Sequence, residues 1–382
     1  MPWRETNPME QRIEFINKFL TGHWTMAELT DRFGISRTTG YKWWERFKQT
    51  GFDGLKELSR APHSCPHRTA TEIEEELVAF RKRYPKWGPI TLLELVQRKH
   101  PDWDLPAPST AGEIFKRHGM VKPRKKRTRP RHPGRPYVDQ AEPNDVWATD
   151  FKGEFKTRDH RYCYPLTVTD GCSRYLLGCK ALRSTRHDGV KPEFKRLFRE
   201  YGLPKQILTD NGVPFASQGL HGLSRLSVWW LKLGIQPIRI EPGRPSQNGR
   251  HERMHRTLKD EATRPPKQDL RSQQREFDDF RVRFNTVRPH HALGKMTPEE
   301  VYRPSPRPFP EKLPELEYPD DFAIRKIHGH GCFIWRSKHV FVSRVLVHER
   351  IALEPLGDGL YSVFFGPLLL ARFDERESRI DK

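Results

Sequence analysis

The chain has 382 residues, enough for two to four domains, and carries 69 Lys and Arg against 49 Asp and Glu, a formal charge of +20 with a pI near 9.8. An excess of one sign on this scale points to nucleic acid, where basic side chains displace the counterions of phosphates. The absence of an apolar run of about 18 residues excludes a spanning helix, the start MPWRETNPMEQR lacks a secretory apolar core, and five scattered cysteines with no C-x-x-C pair argue against a disulfide scaffold and make the cytoplasm the default location.

Residues 9–50 read as helices. The stretch TMAELTDRFGISRTTGYKWWERF (25–47) has a helix-turn-helix rhythm. Met26, Leu29 and Phe33 recur at helical spacing, Gly34 permits a sharp turn, and Ser36 suits the N-cap of a second helix. Tyr41, Trp44 and Phe47 are expected inward. Arg37, Thr38, Lys42 and Arg46 are then outward, as on a helix that meets DNA. A second helical unit follows, with two helices broken at Pro85–Pro89 and a third, PSTAGEIFKRHGMV, capped by Ser109 with Ile114 and Phe115 inward. The stretch PRKKRTRPRHPGRP (123–136) holds seven Lys and Arg, four Pro and no acid. Proline and self-repulsion forbid a packed element. It reads as a linker whose Arg124, Lys125, Lys126 and Arg127 lie along a phosphate backbone.

From residue 145 the texture changes. DVWATDFKGEF, YCYPLTVTD and SRYLLGCKAL are three strand-like runs with short turns, an antiparallel meander. A helix at about 188–201, a strand QILTD, a helix near 220–233, a strand IQPIRI and helices at about 246–263 and 269–287 complete an α/β sheet of the ribonuclease-H kind. After the proline-rich stretch 303–315 the chain alternates short apolar runs with Gly-Asp-Gly and Gly-Pro turns, which suggests a small barrel of about five strands. The chain is therefore read as multidomain: helix-turn-helix units at 1–60 and 61–122, a basic linker at 123–140, a ribonuclease-H-like core at 141–305 and a small β-barrel at 306–382.

Three acids stand out in the core. Asp150 sits late in a strand on the same face as Val146 and Ala148, where a carboxylate is costly unless paired, hydrogen-bonded or bound to metal. Asp210 ends a second strand before Asn211-Gly212, a placement that equally suits a turn former. Glu252 is helical, with Asn248, His255, Arg256 and Lys259 on one polar face and Met254 and Leu258 turned away toward the sheet. Three carboxylates meeting there suit two divalent ions, Mg²⁺ or Mn²⁺, which activate an attacking oxygen and stabilise a leaving one at phosphorus.

The same helix contains His251-Glu252-x-x-His255, which fits the H-E-x-x-H pattern of zinc metalloproteases. No third-ligand continuation follows. The flanking Arg250, Arg253, Arg256 and Lys259 would repel zinc rather than tune it.

WATDFKG, LTDNGVPFAS, PGRPSQNGRHERMHRTLKDE and FNTVRPHHALGKMTPEEVY, in this order, resemble the DDE integrase-core transposases of bacterial insertion sequences, relatives of retroviral integrases. The resemblance covers about 145–302. It implies Asp150, Asp210 and Glu252 as catalytic, metal-holding residues, and Asn211, Arg256 and Lys259 among the DNA contacts. It further implies cleavage at element ends and strand transfer of the 3′-hydroxyl into target DNA. The partners it implies are double-stranded DNA, both terminal inverted repeats and target, and further copies of the chain in a dimer or larger synaptic complex. RPHHAL and the Thr297, Pro298, Glu300 capping box look structural. The interval of 41 residues between Asp210 and Glu252 is longer than the family pattern, with SQGLHGLSRL (217–226) as the expected carrier of the extra residues, and Glu241 is a weaker rival for the third acid. Two other readings stay open: a DNA-binding regulator with an inactive core, and a structure-specific nuclease on the same fold.

Overall fold

The computed structural model describes residues 7–58, 68–121, 138, 140–217 and 219–381. It resolves into two compact units, up to Arg68 and from Thr69 onward.

The first unit is three helices, α1 (Pro8–Leu20), α2 (Met26–Arg32) and α3 (Arg37–Thr50). Each start has a side-chain cap: Asn7 accepts from Met9 N–H, Thr25 and Glu28 form a capping box, and Ser36 accepts from Thr39 N–H. Gly34 turns the chain at φ +64°, a left-handed value that glycine adopts without strain. Trp44 and Phe47 pack against the core as expected, and the inward face of α3 departs from the expected one at Tyr41. Gly40 and Trp43 are buried, whereas Tyr41 is exposed. Gly40 explains the shift: a Cβ there would stand 2.6 Å from Thr30 Cγ2, so α2 and α3 approach at that point. Arg37, Thr38 and Lys42 are exposed, and Arg46 lies over the Trp43 ring.

The second unit begins with α4 (Thr71–Arg83), α5 (Pro89–Lys99) and α6 (Pro108–Arg117), packed through Leu77, Trp87, Leu92, Val96, Ile114 and Phe115. Ala107, not Ser109, precedes the first turn of α6, because Pro108 takes the first helical position. The basic stretch with Arg124, Lys125, Lys126 and Arg127 lies outside the described residues.

A six-stranded sheet follows, built from β1 (Val146–Phe151), a two-residue β2 (Phe155–Lys156), β3 (Tyr162–Asp170), β4 (Leu176–Leu182), β5 (Gln206–Thr209) and β6 (Gln236–Arg239). Across the sheet the order is β4-β3-β1-β5-β6, with β2 pairing the start of β3. The β4-β3-β1 ladders are antiparallel and β1-β5-β6 parallel. Helices cover both faces. On one, α7 (His187–Tyr201) and α8 (Arg225–Lys232) bury Phe194, Phe198 and Trp230 against Trp147, Leu166 and Val168. On the other, α9 (Gly249–Ala262) and α10 (Leu270–Val282) bury Met254, Leu258, Phe277 and Phe280 against Cys163 and Cys179. The period of two in β3 sorts its residues: Leu166 and Val168 face α7 and α8, and Thr167 and Thr169 face α9. This is the ribonuclease-H-like arrangement. The short α11 (Pro298–Val301) starts with the expected Thr297–Glu300 capping box.

The helical module grips this core through side chains. Trp87 Nε1–H donates to Glu261 on α9 at 3.1 Å, and Arg288 pairs with the same carboxylate at 2.8 Å. Arg98 on α5 bridges to Glu300 on α11 at 3.2 Å.

The C-terminal strands are β7 (Ala323–Lys326), β8 (Cys332–Trp335), β9 (Lys338–Phe341), β10 (Arg350–Gly357), β11 (Leu360–Phe365), β12 (Leu368–Asp374) and β13 (Arg379–Asp381). They form an antiparallel sheet, β13-β12-β11-β10-β7, and a separate β8-β9 hairpin around Phe333, Phe365 and Phe373. The ring of ladders that a closed barrel requires is not complete among the described residues. The stretch 217–226 has an unexpected role here. Leu220 and Leu223, with Val228 and Leu231 of α8, enter this β core, and His221 Nε2 bonds Leu370 O at 2.5 Å. No helix among the described residues is long and apolar enough to cross a membrane.

Candidate active site

β1 delivers Asp150 to the α9 face of the sheet, where its backbone pairs with Thr167. The neighbouring parallel strand β5 ends at Thr209, so Asp210 follows at the adjacent sheet edge. Asp210 Oδ1 accepts from Gly212 N–H at 3.0 Å, so this residue shapes the turn as well as facing the site. Glu252 stands exposed in the first turn of α9. Burial raises the Asp150 carboxyl to a pKa of about 7, and the charges of Asp210 and Glu252 push the same way, against a Phe151 N–H bond and the Lys152 ammonium. The three acids, separated by 59 and 41 residues along the chain, therefore act on one another through space. Glu241 pairs with Arg244 at 3.0 Å.

The donor set is all oxygen, the chemistry that a hard divalent ion takes. The neighbouring imidazole of His255 stands 3.9 Å from Asp150 Oδ2, with its own pKa held down to about 3 by burial and by Lys152, so it supplies no compensating charge at neutral pH. Chemically these residues fit a cation. Among the described residues, however, no three ligand-type side chains stand within mutual coordinating distance.

The H-E-x-x-H histidines are occupied elsewhere. His251 Nδ1 lies 2.7 Å from the Thr169 hydroxyl, and His251 Nε2 and His255 Nε2 lie 2.8 and 2.7 Å from that of Thr167. Thr167 donates to Asp150 O at 3.0 Å, so its oxygen accepts from both Nε2–H groups. Thr169 then donates to His251 Nδ1. Both rings are neutral, and burial holds the His251 pKa well below its usual value. A zinc ion would find no lone pair left on His251. The expected polar face of α9 is corrected accordingly: Asn248 and His255 are buried, and only Glu252, Arg256 and part of Lys259 reach the surface. The sequence pattern hid this because i, i+4 histidines read equally as ligands or as docking groups.

A basic flank adjoins the acids. Burial lowers the Lys152 pKa, and the nearby Lys259 and Arg264 charges lower it further. Arg256 is exposed beside them. The Asn211 side chain is committed differently, its Nδ2–H donating to Ile240 O at 2.8 Å and tying the ends of β5 and β6. Lys152 and Thr167 were not singled out from the sequence. Alternation did place Lys152 on the face of Asp150, and that signal could have found it.

Comparison with known proteins matches two models described as integrase core domain, over residues 140–245 and 233–298. A third, described as the leucine-zipper of insertion element IS481, matches residues 9–83. An uncharacterized 39.2 kDa protein of insertion element IS476 from Xanthomonas euvesicatoria is 28% identical over 182 residues, 47% of this chain and 50% of that protein. A Gag-Pol polyprotein of baboon endogenous virus (strain M7) is 34% identical over 122 residues, 32% of this chain and 7% of the polyprotein. The chain thus spans about half of the first relative and under a tenth of the second. The HTLV-2 integrase catalytic core domain, solved with magnesium in a trimeric form, superposes with a TM-score of 0.35 at 17% identity, over 43% of this chain and 100% of that one.

Proposed function

From the integrase core that residues 140–298 form, we propose that this chain is a DNA transposase with Asp150, Asp210 and Glu252 as its catalytic carboxylates. The observation that carries the reading is the shared field of these three acids on one sheet face, brought together from β1, the end of β5 and α9. In the reaction, water attacks a phosphodiester at the element end and the 3′ oxygen leaves with a proton. The freed 3′-hydroxyl then attacks a target phosphodiester, one P–O bond forming as another breaks, so no ATP is needed. Two Mg²⁺ or Mn²⁺ ions held by the three carboxylates would activate the attacking oxygen and stabilise the leaving one. Lys152, Arg256 and Lys259 neutralise the strand beside the acids. Arg37, Thr38, Lys42 and Arg46 on α3 are assigned to the terminal repeats, Arg124, Lys125, Lys126 and Arg127 to the backbone, and Asn211 to ordering the DNA-facing turn. Joining two ends requires at least a dimer.

The test uses DNA fragments carrying the inverted repeats that bracket the gene. Asp150→Asn and Glu252→Gln are expected to abolish strand transfer while end binding persists. Full activity of both variants would overturn the assignment. Binding without transfer by the unaltered protein, with Mg²⁺ and with Mn²⁺, would favour the regulator reading. Cleavage indifferent to the repeats would favour the nuclease.

A further inference from the structure

A cavity of about 630 Å³ lies between the β3–β4 turn, the first turn of α9 and residues 284–292. Ala148 and Leu208 floor it, so it shares the sheet face of the acids, yet Asp150, Asp210 and Glu252 do not line it. Four arginines do: Arg174, Arg250, Arg253 and Arg288. Arg288 is neutralised by Glu261. Arg250 donates only to the neutral oxygens of Gln140 and Gly171, both at 2.7 Å. The guanidiniums of Arg174 and Arg253 have no hydrogen bond or ion pair among the described residues. The one lining carboxylate, Asp170, is consumed by Asn144 N–H at 2.7 Å and by the Ser173 amide and hydroxyl at 2.8 and 2.6 Å.

Three guanidiniums therefore line one cavity without an ion-pair partner among the described residues, Arg174 partly buried and Arg250 and Arg253 exposed. Burial and the charges of Arg250 and Arg253 depress the Arg174 pKa, as mutual repulsion requires. Arg174 also holds φ at +62°, a strained value for a side chain this large. Two polar groups wait in the same wall. His290 Nε2 is buried with no hydrogen-bond partner, and Asn248, 6% exposed, makes no cap bond to the helix that it begins. Unpaired like charges gathered at one cavity are relieved when an anion enters it, and the buried His290 nitrogen and Asn248 leave room for a polar guest.

We propose that this cavity is an anion pocket that receives a phosphate group of a nucleic-acid strand, distinct from the phosphates processed at the three acids. Guanidinium forks match phosphate oxygens in pairs, and three charges exceed what a single carboxylate would satisfy. The volume admits a whole nucleotide. The nucleic-acid source of the phosphate rests on the transposase reading; the anion site itself does not.

The test uses full-length protein in EDTA, with Arg174→Gly as the variant. Glycine accepts the positive φ, so the fold is retained while the charge is lost. The wild-type protein is expected to gain melting temperature in inorganic phosphate, and the variant is not. Anisotropy with a labelled duplex should show several-fold weaker binding by the variant. The slope of log affinity against log salt should fall by roughly one. Arg253→Gln should act the same way. If the variant lost only the phosphate effect, with an unchanged DNA slope, the nucleic-acid occupant would be refuted in favour of a free anion. Loss of self-association with unchanged DNA binding would assign the pocket to a carboxylate of a second copy and overturn the proposal. If neither phosphate nor DNA distinguished the variant, the pocket would not be an anion site. Asp150→Asn, run alongside, should keep the wild-type slope. In a separate assay with Mg²⁺, strand transfer by Asp150→Asn would sink the catalytic reading without touching the slope result.

Discussion

At the scale of single residues the site sets two opposed pH dependences. Asp150 titrates near 7 in the folded chain against 3.8 when unfolded, so the native state binds the extra proton. Stability therefore falls as pH rises from about 4 to about 7 in metal-free buffer. Asp150→Asn should raise the melting temperature at pH 8 and match the wild type near pH 4; the difference at pH 8 corresponds to roughly 2–4 kcal/mol at most. A wild-type protein lacking that deficit at pH 8 without metal would contradict the shared field. His255 runs the other way, at about 3 folded against 6.5 unfolded. It binds its proton mainly in the unfolded state, so stability is lost as pH falls below about 6.5. His255→Gln should flatten that acid limb in a melting-temperature profile. An unchanged limb would mean that His251 alone carries it. Because the two slopes overlap, each becomes visible only when the other is removed.

At the scale of elements, α9 is held by Leu258 and Met254 beneath and by two imidazoles clamped on β3 hydroxyls. Leu258 is fully buried, so Leu258→Ala should cost about 2–5 kcal/mol in denaturant melts. It should also depress strand transfer at temperatures where the variant remains folded, because Glu252 rides on that helix. Thr297→Ala should cost only about 1 kcal/mol, the worth of one cap. These elements were largely legible beforehand. Caps such as Ser36 and Thr297, the strand alternation around Asp150 and the order of strands and helices follow from local chemistry. What escaped depends on packing between distant segments. The inward face of α3 is set by the close approach at Gly40, which spacing alone does not reveal. The histidines of α9 chose threonines that lie over 80 residues away. The stretch 217–226 looked like a simple insertion, yet its Leu220 and Leu223 belong to the C-terminal β core. The arginine cavity draws on three separated segments and left no single motif.

At the scale of the whole molecule, the division at Arg68 implies that the three-helix unit is dispensable for folding of the rest. A protein lacking residues 1–68 should melt cooperatively and keep metal-dependent transfer on concentrated DNA, while footprints on the repeats disappear. Failure of the truncated chain to fold, seen as loss of its melting transition, would refute that independence. Net charge adds a second expectation. With +20 on the chain, affinity for any duplex should fall steeply with salt, about 10³–10⁵-fold between 50 and 200 mM if 6–10 phosphates are engaged. Glu261 links the scales. It receives Trp87 from the helical module and sits nine residues beyond Glu252, about 14 Å along one continuous rod. On the transposase reading, a tug that DNA exerts on that module would arrive at the lever whose opposite end carries Glu252, and grip and cutting would share a single mechanical axis.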